Sequence, residues 1–459
     1  MEGQRENKMG VMPIPKLILN MSLPMIVSML VQAFYNIVDS FFVAKVSEQS
    51  LTAVSLAFPA QNLMIGVATG TAVGVNALLS RSLGEKDQAR ANAIAEHGVF
   101  LALVGYLIFL VFGLFGTRAF FASQTDVKQI MDYGVDYLSV ICCFSFGVFG
   151  QIMFERLMQS TGRTIYTMFT QGLGAIINII MDPMFIFLFH QGVRVAAIAT
   201  VIGQIVAFML AVYLNHTKNA DVQLDLRKFR PKLAIVGRIY AIGVPSIIMV
   251  AIGSVMTFAM NKILIVYHVA KETAATIFGV YFKLNSFVFM PVFGLNNGII
   301  PIVAYNYGAQ NRRRMLKAIK VAVIFVGSYT VLGAIVFMTL PGPLLSIFNA
   351  SEVMLQYGKP ALRIIGSTFI FAGVCIALGS TFQALGYGVY SMIVSLARQL
   401  IVLVPAAFLL ARLGLKSGNS DLVWYAFPIA EIASLVTTLV LFSRLYNNVI
   451  ITVPEGREA

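Results

Sequence analysis

Apolar stretches of about twenty residues recur along the whole 459-residue chain, and they restrict its fold more than any other feature. A helix needs roughly 20 apolar residues to cross the hydrocarbon core of a bilayer. The chain is 58% hydrophobic and 12% charged, with a mean hydropathy of +0.82. A water-soluble domain does not need that composition, and the alternating strands typical of an outer-membrane barrel are absent from the sequence. We therefore predict an all-α membrane protein whose first partner is the lipid bilayer.

Twelve transmembrane helices are predicted, with an insertion signal supplied by the first of them. Lys and Arg collect in the loops that lie on one side of the membrane together with both termini. By the positive-inside rule, both termini are cytoplasmic in a multi-pass protein of the cell (inner) membrane. The net charge of +13 then belongs to these loops, and no nucleic-acid partner is expected. The predicted spans lie near 16–43, 52–80, 92–117, 133–157, 165–189, 195–215, 238–267, 275–303, 316–340, 358–384, 389–411 and 423–445.

The two halves of the chain resemble each other. The long polar segment Lys218–Arg238 falls near the midpoint, with six predicted spans on either side. Several landmarks of the first half recur at one offset in the second, namely Gln159 and Gln383, Gly162 and Gly386, and Tyr166 and Tyr390. We predict an N-terminal lobe (1–216), a cytoplasmic inter-lobe loop (217–237) and a C-terminal lobe (238–459). Because both lobes begin on the same side, a parallel pseudo-two-fold axis relates them, as in secondary transporters that rock two lobes around a cavity.

One polar motif interrupts an apolar span of the first half. Asn178 and Asp182 are four residues apart, so both lie on one face of the fifth predicted span, and Pro183 follows directly. A carboxylate at membrane depth is costly. Proline also frees a backbone carbonyl one turn earlier in the helix. The motif therefore predicts a functional cluster of oxygen atoms inside the membrane.

Other polar side chains of the first half are predicted at the same depth. Asp39 lies near the outer end of the first span, with Tyr35 one turn before it. Thr200 and Gln204 lie in the outer half of the sixth span, and Tyr137 lies near the outer start of the fourth. For Thr200, Gln204 and Tyr137, interfacial placement or an ordinary helix-packing hydrogen bond remains an alternative.

The two carboxylates, Asp39 and Asp182, have no basic residue of matching depth in their half of the chain. They must then carry a proton, coordinate a cation, or alternate between the two. Oxygen ligands suit a hard cation such as Na⁺. We predict a coupling-ion site for Na⁺ or H⁺ and no other cofactor.

Ionisable residues outside this cluster have more ordinary interpretations. Lys262 lies near the outer end of the seventh span, where its side chain reaches the interface, whereas Lys283 is deeper in the eighth. Arg398 and Glu431 share a depth in neighbouring spans, and we expect a structural ion pair. Glu155 lies close to the cytoplasmic end of the fourth span, and we expect it to be solvated at the interface.

Motifs of chemical catalysis are absent from the sequence. No phosphate-binding G-x-x-x-x-G-K-[ST] loop, zinc-type histidine spacing or Ser-His-Asp grouping is present. We therefore do not expect an enzyme.

The pattern resembles the multidrug and toxic compound extrusion (MATE) family over essentially the whole chain. The resemblance rests on Pro24 with Tyr35-Asn-Ile-Val-Asp39, on Asn178-x-x-x-Asp182-Pro183, on Thr200, and on the glycine-rich second and eighth spans. It implies that Asp39, Asn178, Asp182 and Thr200 form a cation site, which is a metal site if the ion is Na⁺. It also implies that Pro24 marks a bend of the first helix and that Tyr35 and Tyr137 line the same region. We assign Gln204 to this region as well, because it is predicted at the same depth. Acidic residues that some members carry in spans seven and eight are replaced here by Asn261-Lys262 and Lys283, so a second cation site is not expected.

The resemblance implies a monomeric secondary active antiporter that exports lipophilic, often cationic compounds in exchange for Na⁺ or H⁺ by rocker-switch alternating access. Two alternatives remain. One is a flippase for lipid-linked oligosaccharides from the same superfamily, with Lys283 and Arg398 meeting a pyrophosphate. The other is a channel or receptor without coupled transport.

Overall fold

The computed structural model describes residues 7–46, 48–189, 193–225, 227, 229–348 and 350–456. For 35–46, 48, 51, 182, 183, 185–189 and 193 it describes the backbone alone. The described part of the chain is helical, without a strand. Ten helices are long and apolar enough to cross a membrane, and two bent helix pairs bring the number to twelve, as the apolar pattern predicts.

The spans are numbered α1 to α12 in chain order. The first lobe contains α1 (Ile14–Val46), α2 (Glu48–Gly84), α3 (Gln88–Val111, continued through a π-helical turn to Ala122), α4 (Lys128–Cys143 and Phe146–Ser160), α5 (Thr164–Phe189) and α6 (Val193–Lys218). The second contains α7 (Leu233–Tyr267), α8 (Lys271–Gly308), α9 (Arg312–Thr339), α10 (Glu352–Gly366 and Phe369–Ala384), α11 (Gly388–Leu396, a π-helical segment Ala397–Leu403, and Val404–Ser417) and α12 (Ala426–Leu445, between Ser420–Tyr425 and Tyr446–Ile450). Short helices span Lys8–Val11 and Pro341–Ser346.

The fourth span of each half is broken, which the apolar pattern does not predict. The two parts of α4 meet at 43° and those of α10 at 45°. Neither break contains a proline. Instead, Ser145 donates its hydroxyl to the Cys142 carbonyl (2.8 Å), and Thr368 donates to Ile365 (2.8 Å). Side-chain hydroxyls that bond to nearby carbonyls offer the backbone an alternative to the helical ladder.

The predicted repeat is visible in the turns that join the spans. Gly162, between α4 and α5, and Gly386, between α10 and α11, have φ of +85° and +89°, a left-handed conformation that favours glycine. The α2–α3 and α8–α9 turns match as well, because Asp87 caps the Arg90 amide and Asn311 caps the Arg314 amide.

Both described ends of the chain lie at the α8–α9 turn, and we call this side of the molecule the terminal face. The Met9 carbonyl accepts hydrogen bonds from Asn306 and Arg314, while the carbonyls of Pro454 and Glu455 accept backbone amides of α9. The inter-lobe segment lies against α3 on the same face; the flanking helices end at Lys218 and begin again at Leu233.

The two lobes are in close contact toward the terminal face. Glycines allow the helices to approach, because a Cβ on Gly74 of α2 would overlap the Ile239 carbonyl of α7. Gly84 and Gly308 likewise lie against each other's helices, and α1 crosses α8 at Gly298, which contacts Ser22. The described structure is therefore closed between the lobes at the terminal face.

Candidate functional site

The centre of the candidate site is the contact between α5 and α6. Asn178 is only 5% exposed, and its amide lies directly against Gly203, where a Cβ would be 2.6 Å from Oδ1. The absent side chain at Gly203 is thus what admits the amide. Gln204 follows Gly203, and Thr200 lies one turn earlier on the same helix. The structure therefore brings Asn178 to the part of α6 that carries both predicted partners.

Two acceptors at this contact have no hydrogen-bond partner among the described residues. They are Oδ1 of Asn178 and Oε1 of Gln204, and both are buried. A buried polar atom without a partner is costly, and such an atom in a native structure requires an explanation. The Thr200 hydroxyl, 7% exposed, donates to the Ala196 carbonyl (3.1 Å) and keeps lone pairs to accept or coordinate. The contact is thus rich in acceptor oxygens.

The break in α4 places a third helix beside this contact. Gly147, just after the break, meets the backbone of Gln204 and Ile205 of α6. Tyr137 lies on the first part of α4, is 5% exposed, and belongs to the same apolar cluster as Ala197 and Val201 of α6. The bend lets both halves of α4 pack against α6.

Four predicted residues have side chains outside the described part of the structure, namely Tyr35, Asp39, Asp182 and Pro183. Their backbones place them on α1 and α5, which pack against each other. Asp182 lies one helical turn beyond Asn178 on α5. The assignment of Asp39 and Asp182 to one site therefore remains a prediction.

Pro24 is buried on α1 where this helix crosses α8. Its neighbours Ser22 and Ile26 contact Gly298 and Gly294, and the Ser22 hydroxyl donates to the Leu295 carbonyl (3.3 Å). A proline leaves a carbonyl of the preceding turn without its helical donor and favours a kink. The predicted bend position thus lies at a contact between the lobes.

The described donors of this contact are oxygens, which suit a hard cation better than a transition metal. No group of three or more His, Cys, Asp or Glu side chains that could hold a metal was found in the described part of the chain. Amide and hydroxyl oxygens at Asn178 and Thr200 are ligands for hard cations. The unpaired Asn178 oxygen is the observation in favour of this fit.

Glu155 corrects one interpretation of the sequence. Expected to be solvated at the interface, it is only 3% exposed. It accepts hydrogen bonds from Gln151 (3.0 Å), Thr170 (2.7 Å) and Gln171 (2.8 Å), because α4 and α5 pack against each other here. Arg156 does not pair with it and instead donates to Gln159 and to Asn297 of the second lobe (both 2.9 Å). The spacing Gln151-x-x-x-Glu155 is the sequence signal that could have identified this cluster.

Among the ionisable residues of the second lobe, the structure confirms the predicted ion pair. Arg398 and Glu431 form the expected ion pair, with Nη1 3.5 Å from Oε1. Lys262 and Lys283 are exposed, and the Lys283 ammonium is 5.9 Å from the centre of the Phe348 ring.

Known proteins resemble this chain in sequence and in structure. The family model described as MatE matches residues 24–184 and 245–409. The chain is 24% identical to "Multidrug export protein MepA" of Staphylococcus haemolyticus over 429 residues, 93% of each chain, and 24% identical to the protein of the same name from Staphylococcus aureus, over 94% of each. Among solved structures it is similar to "Crystal structure of MATE in complex with MaL6" and to "Outward-facing conformation of a multidrug resistance MATE family transporter of the MOP superfamily". Each has a TM-score of 0.90 and 24% identity, and covers 97% of this chain and 99% of its own.

Proposed function

This chain belongs to the MatE family of membrane transporters, and on that premise we propose that it is a secondary active multidrug efflux antiporter. Its substrates in this proposal are lipophilic, often cationic compounds, exported in exchange for Na⁺ or H⁺. Similarity to the staphylococcal multidrug export proteins over 93% of the chain supports multidrug export.

The observation that carries the coupling proposal is the unpaired, buried oxygen of Asn178. It lies beside α6 near Thr200, on the same helix face as Asp182 and next to α1, the helix of Asp39. These four residues would supply two carboxylates, an amide oxygen and a hydroxyl. A proton on one carboxylate, or a sodium ion among the oxygens, would offset the cost of holding both charges in the membrane.

Alternating access in this proposal is a rocking of one lobe against the other. The lobes are closed toward the terminal face, which the positive-inside rule assigns to the cytoplasm. In this state, a coupling ion would reach the first lobe from outside and disfavour bound substrate, which leaves outward. Return to the inward-facing state requires the contacts of Ser22 with Leu295 and of Arg156 with Asn297 to break.

The flippase alternative has less support. It needs cationic side chains that are free to bind a pyrophosphate, whereas Arg398 is paired with Glu431. An uncoupled channel or receptor is distinguished from an antiporter by concentrative efflux.

Removal of either carboxylate charge tests the proposal. Asp39→Asn and Asp182→Asn are each expected to abolish drug export while the protein still inserts in the membrane. The measurement is drug resistance and ethidium efflux of cells that express equal amounts of each variant. Normal efflux in either variant contradicts the assignment.

A further inference from the structure

The second lobe contains a partly open cavity that none of the roles proposed above uses. It has a volume of about 100 Å³ and lies between α8, α10, α11 and α12. One face of α8 lines it with Tyr281, Asn285, Phe289 and Phe293, which succeed one another at helical spacing. The opposite wall carries the pair of Arg398 and Glu431 and the rings of Phe369 and Phe427.

Two irregularities of the fold converge on this cavity. The break in α10 borders it through Ile365, Thr368 and Phe369. Arg398 lies in the π-helical segment Ala397–Leu403 of α11. Single π-helical turns are found frequently at functional sites, and a broken helix is tolerated at membrane depth where it is buried in protein or lines a cavity.

Two of the lining side chains have buried acceptor oxygens with no partner among the described residues. These are Oε2 of Glu431 and Oδ1 of Asn285. The ion pair does not satisfy Glu431, because Arg398 reaches only Oε1, and at 3.5 Å rather than the 2.7–2.9 Å of a strong charged hydrogen bond. The cavity thus offers two unpaired acceptors, one of them on a carboxylate, to a group with several N–H donors.

We propose that this cavity is a second binding site, for the head group of a primary or secondary aryl-alkyl ammonium compound. The ammonium donates to Glu431 Oε2 and to Asn285 Oδ1, and the Tyr281 hydroxyl offers a third acceptor. Arg398, with 27% of its side chain exposed against 14% for Glu431, is the member of the pair that water can solvate when a second cation arrives.

The size and the walls of the cavity define the remainder of the ligand. A cavity of about 150 Å³ holds benzene, so 100 Å³ holds the ammonium and its first carbons rather than a ring as well. The aromatic part would lie against Phe293, whose side chain is 48% exposed. Cations are also attracted to the faces of aromatic rings, which Phe289 and Phe427 provide. Quaternary ammonium compounds lack N–H donors and would leave both oxygens unpaired.

The structure supplies a reporter for occupation of this cavity. Trp424 is the only tryptophan in the sequence. Its ring stacks on Phe427 at 6.5 Å, and Phe427 lines the cavity. A ligand that displaces Phe427 should change the emission of Trp424.

The test is a titration of the detergent-purified full chain with 2-phenylethylamine and with its N,N,N-trimethyl analogue. Binding is followed by the emission of Trp424, and equilibrium dialysis of the labelled amine measures directly how much amine is bound. We expect saturable binding of phenylethylamine and about tenfold weaker binding of the trimethyl analogue, because hydrogen bonds to charged groups account for about that factor. Glu431→Gln and Asn285→Leu should each weaken binding of the primary amine by a similar factor. Lys283→Met, on the exposed side of α8, should leave this binding unchanged.

The inference rests on the proposed function only for the choice of an organic cation as ligand. The Asp182→Asn variant distinguishes failure of the second site from failure of the proposed function. This variant should lose export but keep binding at the second site. Equal affinity for the two amines, no saturable binding, or binding that survives Asn285→Leu but is lost in Asp182→Asn overturns the second site. The last result would leave the antiport proposal intact.

Discussion

At the scale of single residues, polar side chains buried in the membrane are of two kinds. Glu155 is saturated by three donors from α4 and α5, whereas the Asn178 oxygen has no partner among the described residues. The sequence shows that both are polar and lie in apolar spans, and it identified Asn178. It did not distinguish the two kinds, because that depends on which side chains of neighbouring helices meet.

A hydroxyl at Thr200 is expected to matter for coupling rather than for folding. Thr200→Val keeps the shape of the side chain and removes one potential ligand, so ion-driven efflux should fall by about tenfold, the factor that corresponds to ~1.4 kcal/mol. The matched control is Thr330→Val in α9, since both hydroxyls are buried and donate to the carbonyl four residues earlier. Similar efflux by the two variants, measured in vesicles at equal protein amounts, would contradict a role for Thr200 in coupling.

Glu155 is expected to contribute to stability. Glu155→Leu leaves the side-chain amides of Gln151 and Gln171 without their acceptor, whereas Thr170 can still donate to the Thr167 carbonyl (2.9 Å). Each buried unpaired group costs about 1–3 kcal/mol. Thermal unfolding in detergent should therefore occur at a clearly lower temperature than in the parent protein. Glu155→Gln retains an acceptor oxygen, so its unfolding temperature should lie between those of the parent protein and the Leu variant. A Leu variant as stable as the parent would show that these hydrogen bonds do not contribute to stability.

At the scale of helices, the pattern of apolar residues predicted the membrane spans but not the breaks within them. The twelve apolar stretches correspond to α1–α12, but α4 and α10 are bent at breaks that contain no proline. The hydroxyls of Ser145 and Thr368 at these breaks bond to nearby carbonyls, and in sequence they are indistinguishable from other serines and threonines of apolar helices. Likewise, the π-helical segment around Arg398 has no marker in the sequence.

Close helix packing at Gly74 is expected to set the balance between the two states of the transporter. A Cβ there would overlap the Ile239 carbonyl, so Gly74→Ala should separate α2 from α7 and favour the state that is open at the terminal face. Spin labels at Ala89 and Lys317, exposed positions on opposite lobes, report the distance between the lobes by double electron–electron resonance.

The control for this variant is Gly327→Ala in α9, where a Cβ would meet nothing within 4 Å. That change should leave the distance distribution as in the parent protein, because alanine in a helix interior is favoured over glycine. Unchanged distances in Gly74→Ala would mean that the tight contact does not control closure.

At the scale of the whole molecule, the repeat was readable from the sequence because turn residues are local. The left-handed Gly162 and Gly386 and the capping Asp87 and Asn311 occupy equivalent turns of the two lobes. The closure between the lobes was not readable. It depends on glycines of α2 and α8 that meet helices of the other lobe, and spacing along one helix does not name its partner.

The lobes differ in charge although they share a fold. The first lobe carries the predicted carboxylates on α1 and α5, and the second carries the Arg398–Glu431 pair beside a small cavity. This asymmetry favours an ion that couples through the first lobe, with rocking of both lobes to exchange it for substrate.

The most direct test of ion coupling is efflux of an organic cation from proteoliposomes under an imposed Na⁺ gradient, compared with an imposed proton gradient. The antiport account predicts that at least one gradient drives uphill substrate movement by the parent protein and that neither does so for Asp182→Asn. Substrate movement that only follows its own gradient, or an Asp182→Asn variant that is driven as well as the parent, would contradict it.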